Sequence, residues 1–316
     1  MLCRHPFVRD PTGKVLFSTD PEIRAKGIPF PCGQCLPCRI NKRRIWTLRL
    51  LLESYLHPAS SFVTLTYEPD NLPLNLDGRP ILCKRDVQLF LKRVRDDFQR
   101  NDGFHSGQIR YYFVGEYGPK GGLPHYHAIL FGISPFQLDD QWMYFTGRSG
   151  PYKPNHCRSS RLYNLWRLGI VHVGEVTRES IQYCAGYVLK KLTRKGDGLE
   201  REFQLMSRRP GIGAFAVPDI ARVLQKVSRD RGQPYSGKEI HIGGKSYPLG
   251  RYLLSQLRNV CDIDPGLDSY TESLRDIFRA SKQEGVDFLQ FLTSSTEQKY
   301  LTLEAKQKVF DKRNKL

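Results

Sequence analysis

His125 and His127 stand one residue apart in the run Leu-Pro-His-Tyr-His-Ala-Ile-Leu. If that run is a β-strand, side-chain alternation puts both imidazoles on one face, where two nitrogen donors are aligned for a single metal ion. A second strand-like run, Ile109 to Glu116, precedes it, and the intervening Tyr-Gly-Pro-Lys-Gly-Gly-Leu-Pro favours chain reversal. Antiparallel pairing across that loop returns Glu116 to the side of His125. Two imidazoles and a carboxylate leave coordination positions open on a divalent ion, as Lewis-acid chemistry on a phosphate requires. The competing reading is a pair of surface or core histidines, and the neighbouring carboxylate counts against it.

A second constellation lies in the helical run Ser180 to Arg194. At about 100° per residue, Ile181, Cys184, Ala185, Val188, Leu189 and Leu192 share one broad apolar arc, while Tyr183, Tyr187, Lys190 and Arg194 fall opposite. Tyrosines four apart usually pack in a core, but here other residues already fill the core face. A phenol has an ordinary pKa near 10, so as a nucleophile it needs help; Lys190 could lower that pKa or neutralise charge on a transferring phosphoryl group.

The third constellation is Cys32-Gly-Gln-Cys35-Leu-Pro-Cys38-Arg, whose two-residue gaps let thiolates converge on one ion, zinc by preference. The fourth ligand is not given by spacing: Cys3 is best placed, with Cys83 and a histidine behind it. An iron–sulfur cluster fits less well, because Lys42 stands where the ferredoxin run has its last cysteine. Reduced cysteines without metal are the remaining alternative.

These groups need a scaffold. Helices are expected from Arg39 to Leu56, with a cationic face, and from Lys84 to Gln99, where Val87, Phe90, Leu91, Val94 and Phe98 form one stripe. Strands are expected at Ser61 to Tyr67, in the two hairpin arms, and at Ile170 to Val176, with a short helix around Ser160 to Leu168 and a longer one after Thr177. Residues 133 to 160 and 195 to 213 read as irregular. The order suits an α+β fold, an antiparallel sheet with packed helices, rather than a doubly wound parallel sheet. Three regions are expected: a Cys-rich arm over 1–38, the catalytic domain over 39–215, and a mostly helical region over 216–316. Ser294 with Glu297 reads as a capping box opening the final helix.

In 316 residues, 49 Lys plus Arg against 32 Asp plus Glu give a net charge of +17, which argues against an ordinary enzyme of small metabolites and for a polyanionic partner. Eight cysteines, three of them bunched, suit a reducing compartment. No apolar run approaches the roughly 20 residues of a membrane span and the N-terminus lacks a signal-peptide pattern, so a soluble, cytosolic protein is expected.

The strand Phe62-Val63-Thr64-Leu65-Thr66-Tyr67, then Pro124-His125-Tyr126-His127, then Tyr183-Cys-Ala-Gly-Tyr187-Val-Leu-Lys190 resemble, in order and kind, the three motifs of HUH endonucleases, the rolling-circle replication initiators. The paired tyrosines, the cysteine arm and Met206-Ser-Arg-Arg-Pro-Gly-Ile-Gly213 look like the gokushovirus branch of the microviruses. The resemblance covers roughly residues 1 to 215. It implies a ferredoxin/RRM-like palm in which His125, His127 and Glu116 hold a magnesium or manganese ion that polarises the scissile phosphate. Tyr187, with Lys190 three residues on, would keep a 5′-phosphotyrosine and release a 3′-OH, and Tyr183 would serve the second transesterification. Gly186 stands where a matching lysine would follow Tyr183, so the two tyrosines are not equivalent in pattern. Implied partners are single-stranded DNA and the viral replication origin, with host polymerase, helicase and single-strand binding protein, in the host bacterial cytoplasm; no membrane is implied. No Walker-type phosphate loop occurs, so no helicase motor is expected in this chain. The cations from Arg39 to Arg49, Arg208, Arg209 and the Lys190 to Lys195 cluster would contact phosphates. Two other readings stay open: a non-catalytic, zinc-containing DNA-binding or regulatory protein, and a transposase or relaxase of the same superfamily.

Overall fold

A computed structural model describes residues 2–10, 12, 14–16, 26–105, 107–118, 121–138, 156–158, 160–190, 199–232, 238–260 and 268–313; within these, residues 136, 156–158, 160, 187–190, 231 and 310–313 are described by their backbone alone. In chain order the elements are β1 (Phe7–Arg9), β2 (Val15–Leu16), β3 (Ile28–Phe30), α1 (Leu36–Leu56), β4 (Ser60–Thr66), α2 (Lys84–Asn101), β5 (Arg110–Tyr117), β6 (Pro124–Phe131), β7 (His156–Arg158), α3 (Ser160–Trp166), β8 (Val171–Glu175), α4 (Arg178–Lys190), β9 (Phe203–Met206), α5 (Val217–Arg231), β10 (Glu239–Ile242), β11 (Lys245–Pro248), α6 (Gly250–Arg258), α7 (Ser269–Gln283) and α8 (Phe288–Arg313). They form two compact units: Arg49–Ala216, and Met1–Leu48 with Val217–Leu316.

The unit Arg49–Ala216 is built on a six-stranded antiparallel sheet of order β7-β8-β4-β6-β5-β9. Alternation divides its side chains cleanly. Val63, Leu65, Phe113, Tyr126, Ala128, Leu130, Val171, Val173 and Phe203 face a core closed by α2 and α3. The expected stripe Val87, Phe90, Leu91, Val94 and Phe98 is the buried set of α2, and Trp166 from α3 packs between the rings of Phe90 and Tyr126. The helices cover one face of the sheet, so the other is left to carry polar chemistry. The expected α+β class and antiparallel sheet are therefore present.

That second face is anchored by a buried ion pair. Glu53 of α1 and Arg110 of β5 are both sequestered and bonded to each other. Glu53 Oε2 also accepts from the Gly213 amide at 2.6 Å, and Arg110 Nη2 donates to the Pro210 carbonyl at 3.0 Å. Arg49 Nε donates to the Ile212 carbonyl at 2.9 Å. Gly213 has φ +80°, and a Cβ there would meet the Arg49 backbone at 3.1 Å, so glycine serves both the turn and the close approach. Glu53→Ala would strand the guanidinium of Arg110 in the interior and should cost about 3–5 kcal/mol in urea unfolding; a loss within experimental error of zero would show that the pair is not structural.

Two stretches expected to be irregular contain strands. Residues 203–206 form β9, paired to β5 from Tyr112↔Met206 to Gly115↔Phe203, inside a stretch whose Arg, Gly and Pro content reads as loop. A short strand, β7, falls within 133–160; residues 139–155 of that span lie outside the described residues, as do 191–194 of the helix expected to end at Arg194.

In the other unit, the arm expected to be irregular forms a three-stranded antiparallel sheet, β2-β1-β3, whose strands are too short to show periodicity. The C-terminal region is mostly helical as expected, with one added hairpin, β10-β11. The final helix begins at Phe288 rather than after Ser294. Asp287 Oδ1 accepts from the amides of Leu289 and Gln290 at 3.0 and 3.2 Å, while the Ser294 hydroxyl donates to the Phe291 carbonyl inside the helix, so the expected capping box is not one. Among the described residues no helix is long and apolar enough to cross a membrane.

Candidate active site

The hairpin β5-β6 pairs Glu116 with His125 and Val114 with His127, while β4 pairs Thr66 with His125 and Thr64 with His127. Directly paired residues share a face, so Glu116, both histidines and both threonines project to the side away from α2 and α3. His125 Nε2 lies 2.7 Å and His127 Nε2 3.2 Å from the same oxygen, Glu116 Oε1. One donor atom from each residue falls within 4.8 Å of the others, a spacing at which one ion can be held.

The far nitrogens are held as well. His125 Nδ1 donates to the Leu123 carbonyl at 3.2 Å, and His127 Nδ1 is 3.0 Å from Thr64 Oγ1. Both rings therefore turn Nε2 toward Glu116, as a metal-binding histidine does when its second nitrogen is engaged. Phe62 stacks on His127 with centroids 5.8 Å apart and planes 8° apart. Glu116 is 3% exposed. Burial pushes its carboxyl pKa up, but hydrogen bonds from His125 and His127 outweigh burial and hold it well below the usual carboxylate range. The site thus offers an ionised carboxylate and two oriented imidazoles, a donor set that fits a divalent cation.

Helix α4 packs against β5 and β6 and brings Tyr183 to this cluster. Its hydroxyl lies 3.2 Å from His127 Nε2 and 3.4 Å from Glu116 Oε1, and its ring meets those of His127 and Phe62 edge-on, at 4.9 and 6.4 Å. The opposite face of α4 buries Ile181, Cys184 and Ala185, as the periodicity expects. Tyr183 is still 36% exposed, so the phenol sits at the mouth of the cluster with a path to solvent. Tyr187 and Lys190 follow on the same helix; their side chains, and the Lys190 to Lys195 cluster, lie outside the described residues. Thr64 is a site residue that motif spacing does not single out. Its signal is a polar Thr64, Thr66 alternation inside an otherwise apolar strand.

The cysteines assemble in the other unit. Cys3, Cys32, Cys35 and Cys38 bring their sulfurs within 4.8 Å of one another, so the ligand left open by spacing is Cys3. Cys83 instead sits at the start of α2, its amide donating to Tyr126 Oη at 2.8 Å. Cys32 Sγ to Cys38 Sγ is 3.9 Å and Cys35 Sγ to Cys3 Sγ is 3.8 Å, far beyond a disulfide. Four sulfurs about 2.3 Å from a central tetrahedral ion stand about 3.8 Å apart, so the donor set and spacing fit such an ion. The amides of Cys35 and Cys32 donate to Cys32 Sγ and Cys3 Sγ at 3.3 and 3.2 Å, and Tyr270 of α7 places its hydroxyl 3.3 Å from Cys38 Sγ. Hydrogen bonds from Cys35 and Cys38, together with burial, raise the Cys3 thiol, while the bond with Cys3 lowers Cys35. The sulfurs share protons, and all four would ionise together only around a cation.

Of the cations expected to contact phosphate, two are committed internally: Arg44 to the Ser246 carbonyl at 2.8 Å and Arg49 to the Ile212 carbonyl.

The profile of a family of replication-associated proteins, the ORF2 type, matches residues 60–192, which span β4, the histidine hairpin and α4. The chain belongs to this family of phage replication-associated proteins. It is 30% identical over 263 residues to Replication-associated protein ORF4 of Chlamydia phage 1, covering 80% of this chain and 60% of that one. It is 30% identical to Replication-associated protein VP4 of Bdellovibrio phage phiMH2K, over 59% of this chain and 56% of the relative. With Replication-associated protein ORF2 of Spiroplasma virus 4 it shares 34% identity, over 51% and 48%. These relatives are microvirus proteins of the gokushovirus type, in agreement with the resemblance drawn from the motifs. The chain spans about half to 60% of their length. No solved structure is significantly similar to it.

Proposed function

We propose that this family member starts and ends rolling-circle replication as a metal-dependent endonuclease and ligase of single-stranded DNA. The observation that carries the reading is the Tyr183 hydroxyl standing 3.2 Å from His127 Nε2 in the same cluster as Glu116 and His125. A magnesium or manganese ion held by His125, His127 and Glu116 would supply Lewis-acid polarisation of the scissile phosphate. Thr64 and the Leu123 carbonyl keep the imidazoles turned for that task. A tyrosine oxygen of α4 attacks the phosphorus in line. The bond from phosphorus to the 3′ oxygen breaks, that oxygen takes up a proton to become a 3′-OH, and the 5′ phosphate stays on the tyrosine. Tyr187, followed by Lys190, makes the first cut, and Tyr183 the second, when the displaced circle is joined. One phosphodiester is exchanged for another at each step, so joining needs no nucleotide. The net charge of +17 favours association with DNA, and the protein would act in the host bacterial cytoplasm on the viral origin, alongside host polymerase, helicase and single-strand binding protein.

The reading is tested by mixing the protein with single-stranded DNA of the genome that encodes it and manganese, then resolving covalent adducts on a denaturing gel. An adduct that needs the metal and disappears on Tyr187→Phe supports the reading as stated. Loss on Tyr183→Phe alone reverses the two tyrosine roles, and absence of any adduct refutes the chemistry. Thr64→Val should weaken manganese binding about 10- to 100-fold by calorimetry while Thr64→Ser keeps it; equal affinity in both would show that Thr64 does not orient His127.

A further inference from the structure

Six residues along β5 from Glu116, about 20 Å away, the same face of the sheet carries a second feature. Residues 207–216, outside the region matched by the family profile, leave β9 and turn back over Arg110. Their backbone is fixed from below. Ser207 N donates to the Tyr111 carbonyl at 3.0 Å and Ser207 Oγ accepts from Tyr111 N at 3.1 Å. Glu53, Arg110 and Arg49 hold the Gly213 amide and the carbonyls of Pro210 and Ile212. Ile212, Ala214 and Ala216 are buried, yet the residues between and before them are turned outward. Arg208 and Arg209 are exposed, and among the described residues no carboxylate pairs with either. Phe215 is 51% exposed, with the Arg110 guanidinium 5.0 Å from its ring centroid on the buried side.

An aromatic ring held open to solvent on a rigid turn, beside two uncommitted guanidiniums, is a costly way to finish a surface unless something stacks on it. Its chemistry matches single-stranded nucleic acid, where bases stack on aromatic faces and phosphates pair with cations. We propose that Phe215, Arg208 and Arg209 form a platform for single-stranded DNA, separate from the histidine cluster, that holds the strand at a distance from the linkage being cut. The inference rests on the DNA-processing reading above and adds a binding site to it. The Glu53–Arg110 pair gives the platform its rigidity, so an incoming base meets a ring whose ordering cost has already been met by folding.

The probe is a fluorescein-labelled oligothymidylate of about 30 nucleotides, followed by anisotropy on the full chain. Phe215→Ala should weaken binding about tenfold, whereas Phe215→Trp should retain affinity and show fluorescence quenched by the oligonucleotide. Arg208→Ala with Arg209→Ala should reduce the slope of log affinity against log salt by about 1.4, at about 0.7 for each phosphate no longer neutralised. Thermal melting of each variant checks folding. Wild-type affinity in Phe215→Ala, or an unquenched Phe215→Trp, overturns the platform, and so does preference of wild type for oligouridylate over oligothymidylate that disappears in Phe215→Ala, because the ligand is then RNA. Adduct formation on a short oligonucleotide centred on the mapped cut should be unchanged in Phe215→Ala. If no adduct forms with any protein while Phe215-dependent binding persists, the nickase reading fails and the platform stands.

Discussion

His127→Ala should abolish the covalent protein–DNA adduct at physiological magnesium and lower divalent-ion affinity by at least about 100-fold, since this residue would be a ligand itself and losses of 10- to 100-fold already follow from removing a ligand's outer partner. The size of the effect follows from how many tasks meet at one ring. His127 Nε2 faces Glu116 and the Tyr183 hydroxyl, its Nδ1 is held by Thr64, and its plane lies against Phe62. Removing it takes away a donor atom and the surface that positions the phenol. Excess manganese should restore only part of the activity, because metal occupancy can be recovered by mass action but the phenol's contact cannot. The substitution also carries a pH signature without metal. Glu116 has a folded pKa below its unfolded value near 4.3, so its contribution to stability is present above about pH 4.3 and is lost as the pH falls through the folded value. His127→Ala removes one of the two hydrogen bonds that depress that pKa and lets burial count for more, so the acid limb of the stability profile should move to higher pH. An acid limb and adduct yield identical to wild type would mean the cluster is neither coupled nor catalytic.

Stripping metal from the cysteine cluster should unfold the unit formed by Met1–Leu48 and Val217–Leu316. Cys3 and Cys38 lie in one apolar cluster with Leu274, Phe278, Phe288 and Leu292, so the sulfurs sit where the N-terminal arm meets α7 and α8. Arg4 adds an ion pair to Glu297 and lies 4.3 Å from the Tyr300 ring centroid. The two ends of the chain are joined here through few other apolar contacts. Structural zinc contributes about 10–16 kcal/mol of apparent binding energy in small domains, comparable to or larger than the 5–15 kcal/mol of a whole folded domain. Purified protein should therefore carry about one equivalent of zinc at this site, and a strong chelator or Cys35→Ser should remove a melting transition rather than shift it. A metal-free protein with an unchanged melting profile would contradict the assignment and favour simple reduced thiols.

Where the sequence is locally consistent, the fold could be read from it. The stripe of α2 predicts its buried side, and the Gly- and Pro-rich turn between β5 and β6 sets the register that returns Glu116 to His125. Tyr183 was legible because the apolar arc of α4 leaves it no place in the core. The misses have physical causes. Strands of two to four residues, such as β1, β2, β3 and β9, are too short for a period-two pattern and take their conformation from neighbours already in place. The start of α8 depended on Asp287, a cap hidden behind a stronger-looking Ser294, Glu297 spacing. Tyr270 and the Glu53–Arg110 pair are joined to their partners by tertiary packing across more than fifty residues, which no local pattern encodes.

The most direct measurement is a phosphotyrosine map. After reaction of the protein with origin-containing single-stranded DNA and manganese, nuclease trimming and trypsin should release one nucleotide-bearing peptide, Glu179 to Lys190, between the cleavage points at Arg178 and Lys190. The modification is expected on Tyr187 in wild type and on Tyr183 when position 187 is phenylalanine. A nucleotide attached anywhere outside α4, or none attached while the strand is still cut, would contradict the claim that a phenol of this helix and the two-histidine cluster act on one linkage.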